Sequence, residues 1–420
     1  MASTMGASPK LSRIVLIDSL RGFALAGVAL VHLTQRYITY PTPKGYLAGL
    51  DSWPDYIVNG VVELFFVGKS YALFSLLFGL SFTIQMQSAE QRGENFSIRF
   101  LWRAVLLFAI GYGHHLFYGG DILMIYAILA PFIIPFYKLH NKWLLMVAGI
   151  MFIGLPSLIT YAIMGNHNLF GLPSMSDAAN PMNQKMFQAF HAGSLNDVFS
   201  MNTIYGTKMQ ISFQLTSGRL YNTYGYFLIG LFLGKIGLFR NVDQYARSIK
   251  KSIKWALISI PIIIGTAIIV FMLAPKTNQF TSTWTQVIAM NFYNLVNVSF
   301  SIIILSGFIL LYQKSKWQKR LSFFAPYGRM ALTNYVSQAI VGTFILYGWG
   351  LGLCDHIRTL YLFFIAIGLV IVQTLACKIW LNNFKYGPLE WLWRCGTYLK
   401  IQPFRKEDKN LDEPVIPINS

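Results

Sequence analysis

The sequence predicts an all-α polytopic integral membrane protein, a bundle of about ten transmembrane helices with cytoplasmic N- and C-termini. Of its 420 residues, 55% are hydrophobic and only 12% are charged. Apolar runs of about 20 residues, the length that crosses a bilayer, recur along the chain. Basic residues collect in alternate short connections, which is typical of cytoplasmic loops. The net charge of +18 is therefore attributed to membrane orientation, and no nucleic acid is expected as a partner.

The predicted organisation begins with a cytoplasmic tail over residues 1–12, followed by the transmembrane bundle over residues 13–383. Ten apolar segments define the predicted crossings. They are 14–36, 57–86, 100–118, 121–137, 142–164, 212–234, 252–274, 284–311, 323–348 and 360–381. Segment 57–86 is long for a single crossing, so we expect it to be tilted or broken.

Orientation follows from the basic residues between these segments. The predicted inner loops carry Arg92, Arg99, Arg103, Lys138, Lys142, Lys235, Arg240, Arg247, Lys250, Lys251, Lys254, Lys314, Lys316, Lys319 and Arg320. The predicted outer loops carry little beyond Lys44, Lys185, Lys208, Lys276 and Arg358. This alternation holds through the whole chain, so both termini are expected on the cytoplasmic side.

Three further features complete the organisation. An outer loop over about 165–211 is polar and rich in Met and Asn, so it either caps a site or is loosely ordered. Residues 384–402 are expected to form an interfacial helix, with Glu390 and Arg394 as an i,i+4 pair. Residues 403–420 are charged and contain prolines, so a disordered tail is expected.

The first predicted crossing carries ionisable residues on one face. At about 100° per residue, Asp18, Arg21 and His32 fall on one stripe of the helix. Beside this stripe runs a strip of small residues, Gly22, Ala26 and Ala29. Two interpretations remain open. The stripe lines a cavity along which a ligand runs, or Asp18 and Arg21 form an interfacial ion pair while the small strip packs against another helix.

Further ionisable residues are predicted in the outer half of the bundle, at the level of His32. They are Glu63, Lys69, His114, His115 and Asp121. Such groups are costly inside a membrane, so we expect them to face one shared cavity. Adjacent helical residues point about 100° apart, so at most one of His114 and His115 faces it. Asp121, at a predicted helix start, also suits a capping role. No metal-ligand spacing links these residues to His191, and no metal is predicted.

Several stretches resemble known families. The spacing R-x4-D-x2-R-G-x9-H, from Arg13 to His32, is similar to the first helix of transmembrane acyltransferases, in which the terminal His is catalytic. The hairpin around G-G-D-I-L-M-I-Y-A resembles the YeiB-like family, also called domain of unknown function 418. Residues 68–82, 328–338 and 384–394 resemble further motifs of that family. Members of the family usually have Asn at the position of His32.

The resemblance implies a bacterial cytoplasmic-membrane protein that moves an acyl group from a cytoplasmic donor, acyl-CoA, to an extracytoplasmic hydroxyl or amine. His32, His114 or His115 would act as general base, and Asp121 or Glu63 would orient the imidazole. The residues assigned to donor or substrate binding are Arg13, Asp18, Arg21, Lys69, Arg329, Asn334 and Gln338. No tightly bound cofactor is expected.

An alternative function is a transporter or exporter of a small lipid-like or anionic molecule, with the same polar residues forming its binding site. Against it, no inverted repeat is evident in the sequence. Membrane lipids are the expected surroundings under both hypotheses, and a homodimer is left open.

Overall fold

The computed structural model describes residues 9–164, 170–172, 177, 179–273 and 280–406. Within these ranges the chain is helical, and its β-structure is one isolated antiparallel bridge between Phe384 and Arg405. The helices in chain order are α1 (Pro9–Thr34), α2 (Trp53–Phe65), α3 (Lys69–Glu90), α4 (Ser97–Phe117), α5 (Leu123–Ile133), α6 (Asn141–Ile153), α7 (Leu155–Met164), α8 (Pro181–His191), α9 (Leu195–Met201), α10 (Thr207–Thr216), α11 (Arg219–Lys235), α12 (Val242–Leu273), α13 (Phe280–Tyr312), α14 (Ser315–Leu321), α15 (Ala325–Arg329), α16 (Ala331–Leu346), α17 (Thr359–Asn383) and α18 (Pro388–Tyr398).

Six helical segments in the described ranges are long and apolar enough to cross a membrane. They are Val15–Thr34, Trp53–Glu90, Ser97–Phe117, Val242–Leu273, Trp284–Tyr312 and Thr359–Asn383. The pair α6–α7, bent by 53°, raises the number to seven if it forms one span. The protein is therefore a multi-pass membrane protein by the length and composition of its helices.

All ten predicted segments contain helix, but the described ranges do not confirm ten full crossings. Segments 121–137, 212–234 and 323–348 contain α5, α11 and α16, which have 11, 17 and 16 residues. At about 1.5 Å per residue, such helices are shorter than a hydrocarbon core of about 30 Å. Segment 57–86 is broken as expected, because Gly68 between α2 and α3 adopts a left-handed conformation with φ of 80°.

The helices gather around α1, which contacts α3, α15, α16 and α17. Helix α11 packs closely on α3, and α4 packs on α5. Helix α12 differs from these, since it pairs mainly with α13 and leaves most of its apolar surface exposed. The core that positions the polar residues is therefore built from α1, α3, α4, α11 and α16.

The connections fall into two groups at opposite ends of this core. At one end, Arg240 bonds Gln87, Tyr137 bonds Glu90, and Arg99 lies over Tyr398 of α18. We call it the α18 end, and it brings together several loops predicted to be inner ones.

At the other end, which we call the Asp121 end, buried Arg36 binds Asp51 at 3.2 Å and Arg358 binds Asp55 at 2.6 Å. Arg36 also donates to the Thr359 hydroxyl, and Asp55 accepts the Leu360 backbone N–H. The segment after α1 and the start of α2 are thereby fastened to the start of α17. Lys276 and His167, which were predicted in outer loops, lie outside the described residues.

The structure differs from two predictions at the C-terminus, the Glu390–Arg394 pair in the interfacial helix and the disordered tail from residue 403. Helix α18 is present, but Glu390 does not pair with Arg394; it accepts hydrogen bonds from the backbone of Leu332 and Thr333 at the start of α16. Residues 403–406, expected within a disordered tail, are held because Lys385 donates its backbone N–H to Phe404 at 2.8 Å. Residues 407–420 lie outside the described residues.

Candidate functional site

A cavity of about 280 Å³ lies toward the α18 end, between α1, α3, α4, α16 and α18. Arg21, Arg103, Arg329 and Glu390 line it, and we call it the arginine cavity. Most of its remaining wall is aromatic or aliphatic. This wall includes Phe78, Phe82, Phe100, Leu107, Tyr126 and Trp393. The cavity therefore combines a charged region with an apolar interior.

The three arginines are held in different ways. Arg21 binds Asp18 at 2.9 Å and the Ser81 hydroxyl at 3.2 Å. Arg103 lies over the indole ring of Trp393 at 4.2 Å. Arg329 is exposed and forms no ion pair within the described part of the chain. Guanidinium groups in this arrangement suit phosphate or carboxylate binding.

Glu390 is the acidic group of this cavity, and it is occupied by helix capping. Its carboxylate accepts the backbone N–H groups of Leu332 and Thr333 at 2.7 and 3.1 Å and the Thr333 hydroxyl at 2.6 Å. Burial raises the pKa of the Glu390 carboxyl, while the bonds from Thr333 oppose that shift. The cavity therefore keeps a positive balance among its lining residues.

A second cavity, of about 70 Å³, lies toward the Asp121 end, and His32 lines it. We call it the histidine cavity. Gln35, Ser70 and Arg219 supply its other polar side chains apart from tyrosines. Phe74 and Tyr335 line both cavities, so these two rings form the wall between them.

Beside this wall lies a buried histidine–aspartate pair. His114 Nδ1 lies 2.7 Å from an Asp121 carboxylate oxygen, and the two side chains are 1% and 0% exposed. The other Asp121 oxygen accepts the Met124 backbone N–H at 2.7 Å. Asp121 thus caps α5 and binds His114 at the same time. The helix-capping role and the position beside an imidazole, which the sequence left as alternatives, are therefore both present. With the proton on Nδ1, Nε2 is left as the basic nitrogen, and it has no partner among the described residues.

His32 and His114 belong to one aromatic cluster. The His32 ring lies 4.9 Å from Tyr118 and 6.3 Å from Tyr335. The His114 ring lies 6.3 Å from Tyr118 and 4.6 Å from Tyr335. His32 of α1 and His114 of the α4–α5 hairpin therefore meet around the same two tyrosines.

His115 is turned away from this cluster, in agreement with the 100° offset between neighbours. Its Nε2 lies 3.1 Å from both the Asn202 carbonyl and the Thr207 hydroxyl. Asn202 opens a π-helical turn, and Gln210 donates to the Asp121 carbonyl. The described part of the long outer loop thus caps the histidine–aspartate pair.

Glu63 and Lys69 do not join the cavity, contrary to the expected convergence. The exposed Glu63 carboxylate accepts the Tyr293 hydroxyl at 2.5 Å. Lys69 donates to the Glu63 backbone carbonyl at 2.8 Å and lies over Phe300. The physical reason lies in their own contacts, because Glu63 binds Tyr293 of α13 and Lys69 binds a carbonyl in the last turn of α2. Asp121, and not Glu63, lies beside an imidazole.

Asn334 and Gln338, assigned to substrate binding, lie in the packed interior and line neither cavity. Asn334 donates to the Tyr327 carbonyl at 3.0 Å, and Gln338 donates to the Tyr327 hydroxyl. They share a face of α16 and donate hydrogen bonds to α15, as expected. These bonds hold the two helices together and do not line a binding site. The side chain of Arg13 lies outside the described residues.

The small strip of α1 is also a packing surface. A Cβ on Gly22 would overlap the Phe324 carbonyl oxygen, and a Cβ on Gly328 would overlap the Asp18 carbonyl oxygen. Ala26 and Ala29 are buried in the core. Helix α15 therefore fills the space in which a ligand was expected, and the interpretation as helix packing is the one the structure supports.

The sequence did not predict four residues that form or border the candidate site. They are Phe74, Gln210, Arg219 and Tyr335. Arg219 lies within the predicted crossing 212–234, and an ionisable residue at such a position is a signal that could have found it. Phe74 and Tyr335 carry no comparable signal, because aromatic residues are common in membrane helices. Gln210 carries none because it falls in the polar loop predicted over 165–211.

Among the described residues, no group of three His, Cys, Asp or Glu side chains is placed to hold a metal ion. His191, considered earlier as a ligand, lies with Nδ1 3.1 Å from the Tyr46 hydroxyl.

Comparisons with known proteins identify the family. The sequence profile described as "Protein of unknown function (DUF418)" matches residues 233–400. An uncharacterised 39.9 kDa protein encoded in the amylase 3' region of Bacillus acidopullulyticus is 30% identical, over 93% of this chain and 95% of its own. Uncharacterised YxaH of Bacillus subtilis is 29% identical, over 94% and 97%. Uncharacterised YeiB of Escherichia coli is 25% identical, over 94% and 98%. No solved structure matches significantly. The chain belongs to the YeiB-like DUF418 family.

Proposed function

We propose that this protein is a membrane acyltransferase that moves an acyl group from a cytoplasmic acyl-CoA to an extracytoplasmic hydroxyl or amine. The observation that carries this proposal is the pair of cavities that share the wall of Phe74 and Tyr335. Guanidinium groups line one cavity and an imidazole lines the other. A molecule that reaches through this wall would present its reactive end to His32.

The arginine cavity is the proposed donor site. Arg21, Arg103 and Arg329 would bind donor phosphates, since guanidinium forms paired, charge-assisted hydrogen bonds with them. The apolar interior beyond them would hold the thin end of the donor. The α18 end carries the basic loops predicted to be inner ones, so in this proposal it faces the cytoplasm.

His32 is the proposed general base, because it lines the histidine cavity, whereas His114 and His115 line neither of the two cavities. A ring nitrogen takes the proton from the acceptor hydroxyl while the acceptor oxygen attacks the thioester carbonyl carbon. The carbon–sulfur bond then breaks, and the leaving thiolate takes a proton from the imidazolium. His114 and Asp121 act as positioning residues, because the His114 ring contacts Tyr335 in the shared wall.

The test is acyl transfer from labelled acetyl-CoA to membrane acceptors by the purified full chain, without an ion gradient. We expect His32→Gln to lower transfer by about 10²- to 10⁴-fold, the usual contribution of a general base. His115→Gln should retain most of the activity, because His115 bonds Asn202 instead of lining a cavity.

Unchanged transfer in both His32→Gln and His114→Gln would refute imidazole catalysis. Absence of transfer together with gradient-dependent movement of an unmodified small anion would favour the transporter alternative.

A further inference from the structure

The histidine cavity contains a positive charge that forms no ion pair with any residue the structure describes. The Arg219 guanidinium lies 4.1 Å above the Tyr71 ring. Within the described residues it forms no ion pair, and its Nε is buried without a hydrogen-bond partner. Three other arginines, Arg21, Arg36 and Arg358, each bind an aspartate. Arg219 therefore differs from these three, because its guanidinium contacts an aromatic ring and pairs with no described carboxylate.

The surroundings of Arg219 offer no carboxylate. None of the described residues that line the histidine cavity is acidic. Asp121 is engaged by His114 and Met124, and Glu63 by Tyr293. Within the described residues, these two carboxylates are thus already engaged by other donors.

The backbone adds to the positive potential at this point. Arg219 is the first residue of α11, a helix of 17 residues, and a helix N-terminus carries partial positive charge. A cation in that position is unfavourable unless an anion accompanies it. A partly buried guanidinium without a counter-ion also costs free energy, which a bound anion would recover.

We propose that the histidine cavity binds an oxyanion, a phosphate or carboxylate, and that Arg219 is the residue that recognises it. The guanidinium would bind two anionic oxygens, a geometry for which its planar fork is suited. A volume of about 70 Å³ equals only two to three water molecules, so only the anionic group and the atoms next to it enter.

The binding of an oxyanion does not depend on the proposed function. Only the identification of the bound molecule as the acyl acceptor rests on it. The acceptor of acyl transfer is then an anionic molecule whose hydroxyl or amine lies close to its phosphate or carboxylate. That spacing would bring the reacting group to His32 while Arg219 holds the charge.

The test measures binding to the full chain in detergent by intrinsic fluorescence, with two probes. One probe is inorganic phosphate, and the other is short-chain phosphatidylglycerol, with the matching uncharged diacylglycerol as its reference. We expect Arg219→Gln to weaken binding by about 10- to 100-fold, the value of charge-assisted hydrogen bonds, and Arg219→Lys to weaken it less.

Arg320→Gln is the matched control, because Arg320 also lies over an aromatic ring, Trp317 at 5.3 Å, but lines neither cavity. It should bind both probes as the unchanged chain does.

Binding of phosphatidylglycerol alone would support the site and identify a lipid headgroup as its source, and binding of both probes would support it with a free anion as ligand. If the unchanged chain binds neither probe, or if the Arg219 variants bind as tightly as the Arg320→Gln control, the inference is overturned.

If Arg219→Gln does not fold, the binding measured with Arg219→Lys tests the inference in its place. Arg219-dependent binding without any acyl transfer would refute the proposed function and leave this site intact.

Discussion

His114 and His115 are neighbours in the sequence but have different partners in the structure. His114 binds the Asp121 carboxylate, whereas His115 lies against the Asn202 carbonyl. Helical geometry requires that they point in different directions, but it does not say which of them points where. The choice depends on how α4 is rotated against α5 and against the π-helical turn at Asn202.

The two carboxylate oxygens of Asp121 bind two different partners, His114 and the Met124 backbone N–H, so replacing Asp121 should lower the stability of the protein. Asp121→Asn keeps one acceptor oxygen, so it should lower the free energy of unfolding by about 1–2 kcal/mol. Asp121→Ala removes both acceptors and should cost about 2–4 kcal/mol. Denaturant unfolding of the purified chain measures both values. Equal stability of the Ala variant and the unchanged chain would contradict the two-donor role.

At the scale of elements, α1 illustrates how a pattern can be correct while its functional interpretation is not. Its small residues do lie on one face, and that face is filled by α15. Room for a ligand is found instead between α3, α4 and α16, where bulky side chains leave a cavity. Small residues permit close approach of a helix, so a small strip tends to be occupied by backbone.

The contact between α1 and α15 predicts the effect of a single added methyl group. Gly328→Ala would place a Cβ against the Asp18 carbonyl, so we expect a loss of about 1–3 kcal/mol in unfolding free energy. Gly307→Ala on α13 is the control, because a Cβ there meets nothing within 4 Å. It should be neutral or stabilise by up to about 1 kcal/mol. Comparable stability of the two variants would show that the close approach is absent.

At the scale of the whole molecule, the charged connections separate into two ends. The α18 end includes Arg99 and Arg240, and the Asp121 end includes the ion pairs of Arg36 and Arg358. The sequence predicts this division from loop charge. The proposed acyl transfer across the membrane requires that the α18 end be cytoplasmic.

That orientation is testable by cysteine labelling of intact cells. In a background without Cys354, Cys377 and Cys395, we introduce Lys44→Cys at the Asp121 end or Asn241→Cys at the α18 end, both exposed positions. A membrane-impermeant maleimide should label Lys44→Cys in intact cells and Asn241→Cys only after permeabilisation. The reverse pattern would invert the topology and the direction of the proposed transfer.

The sequence by itself determined that the chain is a helical, multi-pass membrane protein with a polar stripe on its first helix and a polar hairpin at α4–α5. These properties follow from local hydropathy and from the short-range periodicity of a helix. Only the tertiary structure decided that Asp121 binds His114, that Glu63 turns outward and that Arg219 enters the cavity of His32. The reason is physical: these contacts depend on the rotation of each helix about its axis, and hydropathy along a single chain does not specify that rotation.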